Sequence, residues 1–210
     1  FVLSEQKALL NVVRELLKGI PWLNDFNSST PNKIHQLLLA KQIGIAIPET
    51  RILSSRQQVM DFMNEVGDVI FKPLQDSYPI TINNEDFCAY TRKVSNQVLR
   101  QMPNTFDSCL FQACLKKNVE IRSFYLDGIF KSMAICSTFD NQTNIDFRHY
   151  NMKYPNRNVP YQLPPEIEQK LAHLMKELKL NCGSIDLVLN EEGDYVYLEV
   201  NPIGQFGMVS

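Results

Sequence analysis

The sequence lacks any apolar run approaching the ~20 residues that carry a helix across a bilayer, and its first residues show no signal-peptide pattern. It also lacks a surplus of positive charge. Twenty-one Lys and Arg stand against 23 Asp and Glu, a net charge of −2, which argues against a phosphodiester backbone or an anionic lipid surface. Neither nucleic acid nor membrane is an expected partner. The five cysteines, Cys88, Cys109, Cys114, Cys136 and Cys182, are odd in number and show no CxxC or Cys/His ligand spacing. Set mostly among apolar neighbours, they read as reduced core thiols of a cytoplasmic protein. The three histidines, His35, His149 and His173, form no visible triad, and there is no internal repeat. What is present is a globular composition, 44% apolar with twelve Phe and eight Tyr over 210 residues. That is enough for a sizeable core in one large or two small domains.

Apolar residues at helical spacing from Leu3 to Leu17, stopped by Gly19 and Pro21, predict an amphipathic helix. After a loop through Trp22 and Asn24 to Pro31, Asn32 is placed to cap a second helix with Ile34, Leu37, Leu38, Ala40 and Ile43 on its apolar face. A short strand at Thr50 to Leu53 and a helix around Val59 to Met63 follow. Gly67 to Leu74 reads as a buried strand running Val69-Ile70-Phe71 into Lys72. An ammonium there must reach water or an anion, and a nucleotide phosphate is a common solution. Gln75 to Asn84 is polar and turn-rich, Phe87 to Leu99 is weakly helical, and Cys109 to Leu115 reads as a second buried strand. Arg122 to Leu126 and Ile129 to Ile135 flank Asp127-Gly128, a favoured hairpin dipeptide, which predicts antiparallel sheet. A long loop from Asp140 to Pro165 precedes a helix at Pro165 to Leu178 and a last hairpin, Ser184 to Leu189 with Tyr195 to Val200.

That hairpin carries the chemistry. If Asn190 and Tyr195 close a four-residue turn, Asp186 falls opposite Glu199 and Ser184 opposite Asn201, with Glu199 and Asn201 on one face. Two carboxylates facing each other across a sheet repel unless a cation lies between them or one takes a proton. Two carboxylates and an amide oxygen suit Mg²⁺, which completes its octahedron with water and substrate phosphate. A solvated sheet edge with unrelated polar residues is the alternative. The strand at Leu110 to Leu115 ends in backbone able to offer a C=O and an N–H to a flat heterocycle, or is simply core.

The order Val-Ile-Phe-Lys-Pro, Leu-Phe-Gln-Ala-Cys-Leu, Glu-Ile-Arg-Ser-Phe-Tyr-Leu-Asp-Gly, Asp-Phe-Arg-His-Tyr-Asn, Ser-Ile-Asp-Leu and Leu-Glu-Val-Asn-Pro resembles the ATP-grasp superfamily. Asn201 to Ser210, with Arg157-Asn158-Val159-Pro160-Tyr161, resembles within it the peptide maturases related to microviridin ligases, the graspetide type of grasp-with-spasm clusters. The resemblance spans roughly Asn32 to Ser210. It implies an α/β (α+β) fold with two subdomains of mostly antiparallel sheet gripping ATP. Residues 1–31 would be a helix and linker from a preceding domain, 32–115 the small subdomain and hinge, and 116–210 the C-terminal subdomain. Both ends of the chain then look truncated. By the same resemblance Lys72 contacts ATP phosphates, Lys33 is a further phosphate lysine, and Gln112, Ala113, Cys114 and Leu115 receive adenine. Glu120 is a ribose ligand, Arg148 stands near the transferred phosphate, and Arg122 faces acyl phosphate or acidic substrate, or forms an ordinary cross-strand ion pair. Asp186, Glu199 and Asn201 match the metal set.

The activity implied is ATP- and Mg²⁺-dependent ligation. Asp or Glu side chains of a ribosomal precursor peptide are activated as acyl phosphates, then captured by Thr or Ser hydroxyls or a Lys amine. The partner is that precursor, leader and core, and the family leaves room for a homodimer. Two other readings share the fold: a ligase adding an amino acid to a peptide or protein carboxylate, and a non-catalytic peptide-binding scaffold.

Overall fold

The structure, a computed structural model, describes residues 2–25, 32–74, 80–82, 85–87, 91–136, 157–203 and 207. The eleven strands and five helices among the described residues were not all legible from sequence, and the sheets are where most of the differences lie. The chain opens with helix α1 (Val2–Leu17), whose apolar side chains Leu9, Val12 and Leu16 are exposed. Helix α2 (Lys33–Gln42) begins where expected: Asn32 is extended, and its side chain accepts the N–H groups of Ile34 and His35. Its buried stripe differs from the expected one. Leu38 points to solvent at 54% exposure, while Gln36, Leu37 and Ala40 are buried.

A four-stranded antiparallel sheet follows, built from β1 (Thr50–Ser55), β2 (Val69–Lys72), β5 (Arg92–Lys93) and β6 (Thr105–Ala113), in the order β1-β6-β2-β5. One face packs Leu53, Val69 and Phe111 against Val59 and Phe62 of α3 (Arg56–Val66). Arg51 stacks over the Phe62 ring at 4.9 Å and pairs with Glu65, so its stem covers the same core. Three expectations change here. The second buried strand starts at Thr105 rather than Cys109, and the described residues from Thr91 to Leu99 hold β5 and the start of a short helix, α4 (Asn96–Gln101), capped by Ser95. Within the polar Gln75 to Asn84 stretch, Ile80–Ile82 is strand β3, paired with β4 (Glu85–Phe87); its other residues lie outside those described.

The second sheet has the order β11-β10-β7-β8-β9, all antiparallel, from β7 (Lys117–Leu126), β8 (Ile129–Cys136), β9 (Arg157–Tyr161), β10 (Cys182–Asn190) and β11 (Tyr195–Asn201). The Asp127-Gly128 turn joins β7 to β8 as expected, both residues having positive φ (44° and 90°), which a two-residue turn of this hand requires. β9 lies inside the segment expected to be loop. Helix α5 (Pro165–Glu177) and α2 cover one face of this sheet, burying Leu171, Leu174, Met175, Ile121, Ile185, Leu187, Tyr197 and Val200 together. The cysteines are less buried than expected: Cys182 is buried, but Cys109, Cys114 and Cys136 are only half-buried, and Cys88 lies outside the described residues.

Candidate active site

The face of the large sheet opposite α2 and α5 carries the polar residues. Arg122 on β7 is paired with Asp186 on β10, and Asp186 with Glu199 on β11, so three charged residues form one row across three strands. The next row is Phe124, Ser184 and Asn201. The sequence-based register is correct at these positions but not at the turn. Leu189, not Asn190, pairs with Tyr195, and Leu187 pairs with Tyr197. A β-bulge at Leu198 then adds one residue, which restores Asp186 to Glu199 and Ser184 to Asn201. The bulge also turns Tyr197 into the core while Glu199 faces the site.

The two facing carboxylates are held by two cations of the chain itself. Arg122 donates from Nε to Asp186 Oδ1 and from Nη2 to Oδ2, both at 2.9 Å, with side-chain exposures of 4% and 13%. Lys33, at the start of α2, lies 3.4 Å from Glu199. Arg122 is therefore in the cross-strand ion pair that the sequence left as its alternative, and the repulsion expected between Asp186 and Glu199 is offset by protein cations. The negative field is still felt nearby: burial pushes the Tyr197 hydroxyl well above its ordinary pKa, and the charges of Glu199 and Asp186 add to the rise.

The donor set fits a hard cation. Two carboxylates and a carboxamide offer only oxygen, and Asn201 Oδ1, which accepts the Ile203 N–H at 3.1 Å, has a second lone pair. Among the described residues no group of three His, Cys, Asp or Glu side chains gathers, so a set completed by Asn201 is the arrangement available. Gly183 lets this corner close: a Cβ there would lie 2.9 Å from Val200 Cγ2 and 3.1 Å from the Asn201 carbonyl oxygen. Gly183→Ala is expected to cost about 1–3 kcal/mol of stability by overpacking. A thermal melt equal to that of the parent protein would contradict this close approach.

The remaining sequence-predicted residues occupy other places. Lys72, half-buried at the end of β2, shares with Ile70, Gln112 and Thr50 the face of the small sheet turned away from its core. Gln112 is 1% exposed, and its Nε2 donates to Thr50 Oγ1. Of the four adenine candidates, Ala113 and Cys114 already give their N–H groups to Glu49 and Asp68 carbonyls, at 2.9 and 2.7 Å. Leu115 follows β6 in the link to β7. Glu120 is buried in an ion pair with Lys117 at 2.7 Å, each side chain 8% exposed. Arg148 and His149 lie outside the described residues.

Sequence reasoning missed two residues that shape the site. Gln36 on α2 accepts the Tyr197 hydroxyl and the Val200 N–H on Oε1 and donates to the Val200 carbonyl. Asn24, before α2, binds Asn181, Cys182 and Pro202. The signal for Gln36 was its helical spacing with Ala40, which puts a polar side chain on a buried stripe. For Asn24, in a loop, there was none.

Comparison with known proteins agrees with this architecture. A ribosomal-peptide (RiPP)-associated ATP-grasp ligase of Chryseobacterium gregarium, solved with ADP and a leader and core peptide, superposes with a TM-score of 0.87 at 21% identity over 98% of this chain and 63% of its own. The macrocyclase MdnC of Microcystis aeruginosa, bound with precursor peptide MdnA, gives 0.80 at 26% over 97% and 63%. The ATP-grasp ligase PsnB, complexed with a precursor variant, Mg and ADP, gives 0.72 at 19% over 99% and 63%. The chain thus spans somewhat under two thirds of the length of these proteins. No curated protein sequence matches it significantly. Residues 30–210 match the RimK-like ATP-grasp domain, and the chain belongs to that family.

Proposed function

We propose that the protein is an ATP-dependent, ADP-forming ligase that activates Asp or Glu side chains of a ribosomal precursor peptide and joins them to Thr, Ser or Lys side chains of the same peptide. The observation that carries this reading is the row Arg122, Asp186, Glu199 with Lys33 beside it, two carboxylates and two cations next to Asn201. Such a row suits a divalent cation bridging to phosphate, whose oxygens the neighbouring cations can take up. Precursor, leader or core peptides in the similar ligase and macrocyclase structures support the choice of substrate.

In this reading Asp186, Glu199 and Asn201 hold Mg²⁺, Lys33, Lys72 and Arg148 hold phosphate, Gln112 to Leu115 receive adenine, and Glu120 takes the ribose. Bound Mg²⁺ and ATP supply the phosphoryl group and neutralise its charge. Arg122, kept rigid by its two bonds to Asp186, presents a cation to the peptide carboxylate and to the phosphate it acquires. The carboxylate oxygen attacks the terminal phosphorus and ADP leaves. A hydroxyl or amine then attacks the acyl carbon and gives up its proton, and phosphate leaves. Residues 32–115 act as small subdomain and hinge and 116–210 as the second subdomain, after a helix and linker at 1–31.

The test is mass spectrometry of a short candidate precursor peptide carrying Asp or Glu together with Thr, Ser or Lys, incubated with the protein, Mg²⁺ and ATP. Loss of one water per bond formed is the expected result. Gain of a residue mass would mean amino-acid addition instead. An unaltered peptide, with no rise in melting temperature on adding Mg²⁺ and ATP, would leave only a peptide-binding scaffold.

A further inference from the structure

β11, which carries Glu199 and Asn201, is an edge strand of its sheet, and among the described residues one side of its backbone has no strand neighbour. Other parts of the chain take the neighbour's place. The Tyr197 N–H donates to the Ala46 carbonyl at 2.8 Å. Three residues on, the carboxamide of Gln36 acts as a one-residue strand: its Oε1 accepts the Val200 N–H at 2.8 Å, and its Nε2 donates to the Val200 carbonyl at 3.3 Å. The spacing of three rather than two follows from the bulge at Leu198. Just past the strand, Asn24 Nδ2 donates to the Pro202 carbonyl at 3.0 Å and to the Cys182 carbonyl at 2.9 Å. Its Oδ1 accepts the N–H groups of Asn181 and Cys182 at 2.8 and 2.9 Å. Asn24 therefore ties the start of β10 to the residue after Asn201, beyond the last pair of the ladder, Ser184 with Asn201.

The two carboxamides grip alternate residues. Val200 and Pro202 are held by their backbones, while Glu199 and Asn201, between and beside them, carry side chains to the site. A turn of either gripped peptide unit swings a cation donor. Mg²⁺ demands a near-ideal octahedron with short bonds, whereas Ca²⁺ accepts longer and irregular ones, so a small swing costs Mg²⁺ more.

We propose that Gln36 and Asn24 are positioning residues for Glu199 and Asn201, and that by fixing these donors they give the site its preference for Mg²⁺ over Ca²⁺. The inference rests on the assignment of Asp186, Glu199 and Asn201 as cation donors. Residues that orient metal ligands from behind change metal affinity by about 10–100-fold when removed.

The experiment is calorimetric titration of Mg²⁺ and, separately, Ca²⁺ into the protein with ADP present, for the parent, Gln36→Met, Asn24→Ala and Glu199→Gln. ADP affinity and melting temperature without divalent cation are measured alongside. Gln36→Met and Asn24→Ala are expected to weaken Mg²⁺ about tenfold or more, to weaken Ca²⁺ less, and to leave cation-free ADP affinity unchanged. A lower cation-free melting temperature with parental Mg²⁺ affinity and Mg²⁺/Ca²⁺ ratio would reduce both residues to structural edge caps and overturn the proposal. If Glu199→Gln leaves Mg²⁺ affinity at the parental value, the donor assignment itself fails. Asn24 is only half-buried and outside the main core, so Asn24→Ala carries the test if Gln36→Met does not fold.

Discussion

Asp186→Ala is expected to destabilise the fold by about 3–5 kcal/mol, the range for breaking a buried ion pair by removing one partner. The Arg122 side chain is 4% exposed and gives two parallel bonds to this carboxylate. Without it the nearly buried guanidinium loses a bidentate partner that water replaces only in part. Sequence reasoning points the opposite way: Asp186 faces Glu199, and neutralising one of two opposed carboxylates relieves repulsion. The difference lies in Arg122, paired with Asp186 from the other neighbouring strand. Urea denaturation measures the effect as a lowered midpoint at constant slope. The double variant Arg122→Met with Asp186→Leu is expected to recover most of the loss, since an apolar pair of similar volume replaces a buried ion pair at little cost. A single variant as stable as the parent would show that the pair is not buried in solution.

Glu199→Gln is expected to separate activity from stability. Its partner Lys33 is 3.4 Å away, and both side chains keep some exposure, 20% and 15%. Loss of this looser pair should cost about 1 kcal/mol or less, as for pairs that water still reaches. Peptide-dependent ADP formation, in contrast, should fall about a hundredfold or more, because charge stabilisation at a phosphoryl-transfer centre is lost with the carboxylate. A thermal melt and a coupled ADP assay on the same preparation decide it. Turnover near the parental rate would remove Glu199 from the proposed cation set. A collapse of stability together with activity would make the residue structural.

The parts of the fold that were legible are those fixed within a few residues of sequence. Asn32 caps α2 because its own side chain reaches N–H groups two and three residues on, and Asp127-Gly128 turns β7 into β8 because both residues tolerate positive φ. The helix from Pro165 showed its buried face through apolar spacing alone. Register at the last hairpin was legible only in its outcome. Alternation put Asp186, Glu199 and Asn201 on one face, but the turn is one residue longer than assumed, and a bulge at Leu198 makes up the difference. Nothing in Tyr-Leu-Glu marks that bulge, since it satisfies Tyr197 in the core and the Ala46 and Gln36 contacts at the edge, both distant in sequence.

By itself, then, the sequence determined the longer helices and buried strands, the antiparallel hairpins, and which oxygen-bearing side chains share a strand face. These depend on local backbone sterics and on periods of two and 3.6 residues. Only the tertiary structure decided which cation stands against which carboxylate. Strand order set β7 beside β10 and so Arg122 against Asp186, and the docking of α2 on the edge of β11 brought Lys33 to Glu199. Charge pairing acts through space over a few ångströms, and distance along the chain does not encode it.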